Sequence, residues 1–446
     1  MKESSSPQLN NPAIVRAWYV YDWANSVYAL VISSILFPVY YKAVTTVDGR
    51  DTVVFLGFEV QNSVLYTYVL SFSFLLVAAM LPLLSGVADY TGDKKRFMKF
   101  FVFLGATACC GLYFFTGIDS LTWGLLCATL ASVGYSGSLV FYDAFLPEIV
   151  TEDRYDTTSA RGYAMGYYGG IVLMVICLAI IMNAERLGFG VGSAAELNAS
   201  RLSFVLTGLW WVGFSIIPFR YLPSNIYSKP PSADIWKNGY REISKVWHSL
   251  KGQPDLRQFI IAFFFYNSGV QTVMYLAALF GTDVLHLKSD ILIAVFLIIQ
   301  LVGAFGAWMF ARISRVQGNR STLIVMNVIW IGICVGAYFT TTANQFYVLA
   351  VFVGMVMGGI QSLSRATYSK LIPADTVDHA SYFSFYDVAF NISIVIGVFS
   401  YGFIDHITGN MRYSALFLSV YFVVGLLLLW GVKTRVLRAP TVASHS

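Results

Sequence analysis

Twelve apolar runs, each long enough to cross a bilayer as a helix, divide this chain at short polar interruptions. They lie near 17–42, 62–88, 97–116, 120–146, 162–183, 202–222, 257–282, 290–312, 321–340, 344–371, 382–404 and 412–432. A helix needs about 20 predominantly apolar residues to span the hydrocarbon core. Within lipid only a helix or a closed barrel satisfies every backbone polar group, and runs of this length are helices. A soluble fold has no interior large enough for all of them. Charged residues make up only 12% of the 446, about half the usual share of a soluble domain. The expectation is an all-α integral membrane protein of twelve transmembrane helices, with the lipid bilayer as its solvent.

The interruptions carry the orientation. With the N-terminus placed in the cytoplasm, 22 of the 29 Lys and Arg fall in cytoplasmic segments and six in outer ones, and Arg365 remains inside a span. Basic residues gather on the cytoplasmic side of membrane proteins. Both termini are therefore expected there, in a bacterial cell membrane. The N-terminal MKESSSPQLNNPA is polar and lacks the apolar core of a signal peptide. The longest interruption, near 223–256, opens with the linker-like LPSNIYSKPPSAD and continues DIWKNGYREISKVWHSLKG. In the second stretch Trp236, Tyr240, Ile243, Trp247 and Leu250 recur at helical steps among basic residues. Such a helix is expected to lie on the inner membrane surface. The organisation that follows is a cytoplasmic tail over 1–16, a six-helix bundle over 17–222, the linker over 223–256, a second six-helix bundle over 257–434 and a tail over 435–446. A monomer is expected.

Six spans, a linker and six more spans suggest a duplication, and the sequence echoes itself at corresponding places. YDWANS in the first span matches FFYNSG in the seventh. FYDAFLPEIV closes the fourth span as RATYSKLIPAD closes the tenth. GVADYTGDKKR follows the second span as GAWMFARISRVQGNR follows the eighth. With these residues in view, the chain resembles the major facilitator superfamily. The hallmark loop of that superfamily, between spans two and three, holds a Gly, an Asp four residues on, a second Gly and a basic cluster. Here Gly86, Asp89, Gly92, Lys94, Lys95 and Arg96 stand there, with the first spacing one residue short. More narrowly, YDWANSVYALVISSILFPVYY, VFYDAFLPEI, GGIQSLSRATYSKLIP and FSFYDVAFNIS resemble the vacuole-effluxer family. That family includes fungal autophagy-related vacuolar amino-acid exporters and many bacterial relatives. The resemblance covers most of the chain and is densest in spans one, four, ten and eleven. It implies two pseudo-symmetric six-helix bundles, with spans 1, 4, 7 and 10 lining a central cavity and spans 3, 6, 9 and 12 packed outside. At Asp387 and Asn391 the chain departs from the family pattern, which has no acid at the first and a Lys at the second. The substrate is left open.

The polar residues fall as that arrangement requires. The interiors of spans 3, 6, 9 and 12 carry no charge, and an ionisable side chain in a membrane must face protein or water. Helical phasing groups the rest. Asp22, Asn25 and Ser26 share a face of span 1; Tyr135, Ser138 and Tyr142 share one of span 4, with Asp143 beside it. Asn267 and Gln271 align in span 7, Gln361, Ser364, Arg365 and Tyr368 in span 10, and Ser384, Asp387 and Asn391 in span 11. The candidate substrate contacts are Asn25, Ser26, Tyr142, Asn267, Gln271, Gln361, Arg365 and Tyr368. The planar fork of Arg365 suits a carboxylate or phosphate. Asp22 and Asp387 are the candidate proton carriers, although Asp22 also reads as a helix-end cap or a partner of Arg16. Asp143 and Glu148 read as a gate with Arg96 or Arg161. Gly86, Asp89, Gly92 and Arg96 read as a structural lock in which Asp89 pairs with Arg96.

What the chain lacks narrows its function. It has no Gly-rich nucleotide loop followed by Lys-Ser/Thr, no soluble segment large enough to be catalytic, and no channel filter. Its five cysteines lie inside apolar runs without metal-ligand spacing. No enzymatic activity, cofactor, metal or nucleic-acid partner is expected. The expectation is a secondary transporter working by alternating access, exporting a small zwitterionic or anionic metabolite such as an amino acid against proton entry. The alternatives are a proton-coupled importer of peptides or cell-wall fragments, and a non-transporting receptor or lipid-handling protein of the same fold.

Overall fold

The computed structural model describes residues 9–47, 49–224, 235–287, 289–374 and 376–433. Twelve of its helices are long and apolar enough to cross a membrane. Spans 1 to 6 are Pro12–Thr45, Asn62–Thr91, Lys94–Phe114, Ile118–Ile149, Glu152–Met182 and Ser193–Tyr221. Spans 7 to 12 are Pro254–Ala277, Ile291–Gln317, Asn319–Phe339, Ala343–Leu371, His379–Thr408 and Met411–Gly431. Several outrun the apolar runs of the sequence. Span 5 begins at Glu152 rather than near 162, and span 6 at Ser193 rather than near 202. Hydropathy sees only the part of a helix that lipid could tolerate. The polar first turns of span 5 are held by the other half of the protein.

The helix pairings repeat from one half to the other. In the first half, span 1 packs on 5 and 6, span 4 on 2 and 3, and span 3 on 6. In the second half, span 7 packs on 11 and 12, span 10 on 8 and 9, and span 9 on 12. Each pairing becomes its counterpart on adding six. The halves meet through spans 2 and 11 on one side and 5 and 8 on the other, with 4 against 11 and 10 against 5. This is the two-bundle arrangement the sequence suggests. The tail over 435–446 and most of the linker-like stretch, residues 225–234, lie outside the described residues.

Span 1 is not α-helical throughout. Residues Tyr28–Leu36 form a π-helical segment, and the Ser34 hydroxyl donates to the Ala29 carbonyl within it at 2.8 Å. Beyond span 1 a hairpin that the apolar pattern does not announce pairs β1 (Thr52–Phe55) with β2 (Phe58–Gln61). Its two-residue turn places Leu56 at φ 52° and Gly57 at φ 84°, the left-handed pair that matches strand twist.

The linker helix, Ile235–Lys251, has a protein-facing side that the sequence pattern does not announce. It is docked on protein along Gly239, Val246 and Leu250, all buried, with Ile243 half-buried. Tyr240 and Trp247, expected on its apolar face, are 67% and 55% exposed. The docking face is set by a small residue rather than by the largest ones. At Gly86 of span 2 a Cβ would collide with the Gly239 carbonyl oxygen and lie 2.9 Å from Ile243. On its other flank the helix is tied to span 11. Lys245 pairs with Asp378 at 2.7 Å, a hydrogen bond that holds the Lys245 ammonium above its ordinary range. Ser249 shares a 2.5 Å hydrogen bond with the Tyr382 hydroxyl. One helix thus touches both halves at the end of the bundle that carries the linker, called the linker side below.

Candidate functional site

Between the halves lies a cavity enclosing about 1370 Å³ of space free of protein atoms, part of it open solvent. Spans 1, 4, 7 and 10 supply most of its wall, with additions from 2, 5, 8 and 11, and spans 3, 6, 9 and 12 supply none. Of the candidate substrate contacts, Asn25, Ser26, Asn267, Gln271, Gln361 and Arg365 line it, as do both candidate proton carriers, Asp22 and Asp387. Asp143, expected at a gate, lines it too. Tyr142 and Tyr368 do not. Each is fully buried, with its hydroxyl committed, Tyr142 to Asp22 at 2.6 Å and Tyr368 to the Tyr382 carbonyl at 2.5 Å. Their position on a polar stripe places them near the cavity, and the bonds their hydroxyls make hold them in its second layer.

The floor of the cavity is built around Arg365 of span 10, which is 1% exposed. Its Nη1 donates to Asp143 Oδ1 of span 4 at 2.9 Å, and its Nη2 to Asp22 Oδ2 of span 1 at 3.4 Å. Nε donates to the Ser159 hydroxyl at 2.9 Å and Nη2 also to the Ser159 carbonyl at 3.1 Å. The guanidinium lies 4.7 Å from the Trp18 ring centre and 4.3 Å from that of Tyr163, distances that favour cation–π attraction. Every partner belongs to the first half, so the guanidinium joins the two halves. Asp22 therefore pairs with Arg365 and Tyr142, and Arg16 is exposed. Gly162 makes this possible, since a Cβ there would collide with Asp22 Oδ2 and lie 3.1 Å from Arg365 Nη2.

Further bonds between the halves continue on the linker side. Asp156 of span 5 accepts from Lys370 at 2.7 Å, from Asn319 at 2.7 Å and from Ser314 at 3.2 Å. Ser159 donates to the Ser362 carbonyl at 2.8 Å. Asp89 accepts from the backbone N–H groups of Ala380 and Ser381, at 3.2 and 2.6 Å, at the start of span 11. A carboxylate at a helix N-terminus satisfies donors that have no partner within the helix. This replaces the expected Asp89–Arg96 pair. Glu148 pairs with Lys94 at 2.5 Å, and His379 Nδ1 lies 3.4 Å from the same carboxylate oxygen. Arg96 and Arg161, the expected gate cations, are exposed and form no ion pair among the described residues. Gly92, at φ 72°, ends span 2 in the left-handed conformation typical of a glycine helix stop.

The sequence reading missed span 5. Tyr163 and Tyr167 line the cavity, and Tyr167 reaches across to Gln361 at 2.8 Å. A signal was present, because Gly162-Tyr163 and Gly166-Tyr167 repeat at a four-residue step and set two phenols on one face beside two gaps. Tyr266, Tyr275 and Gln300 also line the cavity unannounced. Among the described residues no three His, Cys, Asp or Glu side chains gather to hold a metal ion.

The chain's likeness to known proteins agrees with this architecture. Residues 10–438 match the family model described as vacuole effluxer Atg22 like. An uncharacterised MFS-type transporter, YxiO of Bacillus subtilis (strain 168), is 32% identical over 416 residues, covering 93% of each chain. Autophagy-related protein 22 of Cryptococcus neoformans var. neoformans serotype D (strain B-3501A) is 28% identical over 297 residues, 61% of this chain and 52% of that one. The crystal structure of the major facilitator transporter FucP in its outward conformation superposes with a TM-score of 0.69 over 95% of this chain and 98% of that one, at 13% identity. At that identity the match concerns the fold alone. Fold, family match and full-length relative point one way: this chain is a multi-pass membrane transporter, not an enzyme, and it belongs to the Atg22-like vacuole-effluxer family of the major facilitator superfamily.

Proposed function

We propose that the protein is a secondary active transporter working by alternating access, and that it exports a small zwitterionic metabolite such as an amino acid in exchange for protons. The proposal places the linker side in the cytoplasm of a bacterial cell, in keeping with the 22-to-six bias of basic residues. The observation that carries the reading is the floor of the cavity, where one guanidinium from the second half is held by two carboxylates from the first. Ionised, Asp22 and Asp143 pull Arg365 into the first half and hold the linker side shut. A proton reaching Asp22 through the cavity removes one of the two attractions and loosens the closure. The linker side then opens, and the proton leaves to the cytoplasm. Cargo loaded there returns the ionised protein to the closed, outward-open arrangement. One proton enters for each outward delivery, which is the bookkeeping of an exchanger.

Charge separates zwitterion from anion. The ionisable cavity walls include three carboxylates, Asp22, Asp143 and Asp387, against Arg365, which already makes four hydrogen bonds to the first half. A cargo of net negative charge would enter a field of its own sign. The test uses protein reconstituted in liposomes, a mixture of radiolabelled amino acids and an imposed pH gradient. Asp22→Asn is expected to abolish pH-driven accumulation while retaining exchange of labelled for unlabelled cargo. Accumulation by that variant at the parent rate would remove Asp22 from the coupling step.

A further inference from the structure

Two groups in the cavity wall are buried, polar and short of a well-formed partner, and they are opposite in kind. Asp387 of span 11 is 6% exposed, and its Oδ2 has no hydrogen-bond partner. Neither oxygen of that carboxylate takes part in an ion pair among the described residues. Asn25 of span 1 is 1% exposed; its Nδ2 makes no hydrogen bond of good geometry, only a looser contact with the Tyr21 hydroxyl, while its Oδ1 accepts from Ser26 at 3.3 Å. Gln300 adds an unpartnered cavity atom, its Oε1 acceptor. Leaving a buried polar group unsatisfied costs free energy that folding does not return, and the cost is larger for a carboxylate. Orphaned groups on the wall of a transport cavity are positions where a ligand completes the bonding.

We propose that Asp387 and Asn25 read the two ends of a zwitterionic cargo, Asp387 accepting from a primary ammonium and Asn25 donating to a carboxylate. This rests on the transporter reading above and assigns the recognition to different residues from Arg365. The guanidinium is the natural choice from sequence, but it is a latch between the halves that already makes four hydrogen bonds to the first half. The surroundings of Asp387 favour an organic ammonium over a metal ion. Phe263 and Tyr386 stack at 4.1 Å, and Phe390 lies one turn along span 11 from Asp387; all three line the same cavity. Aromatic faces attract alkylammonium groups, whereas a hard metal ion takes about six oxygen ligands. The two groups also stand on opposite halves, span 1 and span 11. A cargo bonded to both bridges the bundles, so its presence bears on how they move.

The test is a chemical series read on the full-length purified protein by thermal shift. Each set shares one side chain, for example phenylalanine, phenethylamine and 3-phenylpropionate, or alanine, ethylamine and propionate. In the parent protein the amino acid of at least one set is expected to bind at least tenfold more tightly than its carboxylic acid. Asp387→Asn should weaken the amino acid and the amine about tenfold or more and leave the acid unchanged. Asn25→Leu should weaken the amino acid and leave the amine unchanged. The ligand series on the unaltered protein stands even if a variant folds poorly. Acid and amino acid binding equally well, or an amino acid that Asp387→Asn binds as the parent does, would overturn the proposal. So would binding that requires sodium and is lost with Asp387 for acid and amino acid alike, which would give the carboxylate to an inorganic cation. If no set shifts the protein, this recognition scheme fails. The alternating-access reading would not fail with it, because it is judged by the opening of the linker side.

Discussion

Replacing Arg365 with methionine should unlatch the two halves. The guanidinium sits against two carboxylates, at 2.9 and 3.4 Å. At charge separations near 4 Å and an effective dielectric of 20, each attraction is worth roughly 4 kcal/mol before desolvation. Arg365→Met removes both and leaves two buried acids facing each other. Removing one partner from a buried ion pair typically costs about 3–5 kcal/mol, and proton uptake by one acid sets the upper end of that range. The variant is therefore expected to melt well below the parent. The triple substitution Asp22→Asn, Asp143→Asn, Arg365→Met leaves no unpaired charge within this cluster, and it should recover most of the lost stability. It should not recover the closure. Ala160 packs on Ala307 and Ala311 across the halves on the linker side and is 3% exposed. An Ala160→Cys thiol, in a background with half-buried Cys110 changed to serine, reports on opening by its rate of alkylation. A coupling of about 1–3 kcal/mol corresponds to roughly a 5–150-fold increase in the open population, and the thiol should react faster in that proportion in both the single and the triple variant. If the triple variant protects the thiol as well as the parent does, the cluster does not hold the linker side shut and the mechanism proposed here is wrong.

The packing of the linker helix makes a second prediction. Gly86→Val must push the helix away from Gly239 and Ile243, at an overpacking cost of about 1–3 kcal/mol; limited proteolysis should then cut the linker faster, and an unchanged cleavage rate would count against docking through this contact. Orientation makes a third. A cysteine at Ser232, which lies outside the described residues, should react with an impermeant maleimide only after the membrane is permeabilised, and labelling of intact cells from outside would reverse the assigned sidedness.

The parts of this protein that lipid dictates were legible, and the parts that the other half dictates were not. Hydropathy alone locates the twelve spans, because a bilayer imposes one length and one polarity on every crossing. It misplaces the start of span 5, where Asp156 is buried by Lys370, Asn319 and Ser314 rather than by solvent or lipid. Helical phase correctly gathers Asp22, Asn25 and Ser26, since those three residues precede any irregularity in span 1. It says nothing about partners more than a hundred residues away. Arg16 and Arg96 looked like the natural cations because they are near in sequence. The carboxylates of Asp22 and Asp89 instead find Arg365 and the first turn of span 11. Tyr142 and Tyr368 show the same limit in another form, since a stripe marks a direction and not a depth.

The π-helical segment of span 1 has a consequence for how such chains are compared. A turn closed by i-to-i+5 bonds holds one residue more than its α-helical neighbours need, while each α-helical residue turns the axis by about 100°. Deleting one residue between Tyr28 and Leu36 would let the segment relax to an α-helix with both flanks still in phase, whereas the same deletion in an α-helical stretch would swing everything beyond it by that angle. The far end is anchored, with Tyr40 donating to the Phe115 carbonyl at 2.5 Å and Tyr41 to that of Asn62 at 3.0 Å. The segment is thus slack in the drive between floor and rim, taking up one residue while Asp22 and Tyr40 keep their relative orientation. A single-residue gap in this stretch of an alignment marks the loss of the π segment and not a change of meshing between the two, whereas a gap in the α-helical parts of span 1 would mark such a change.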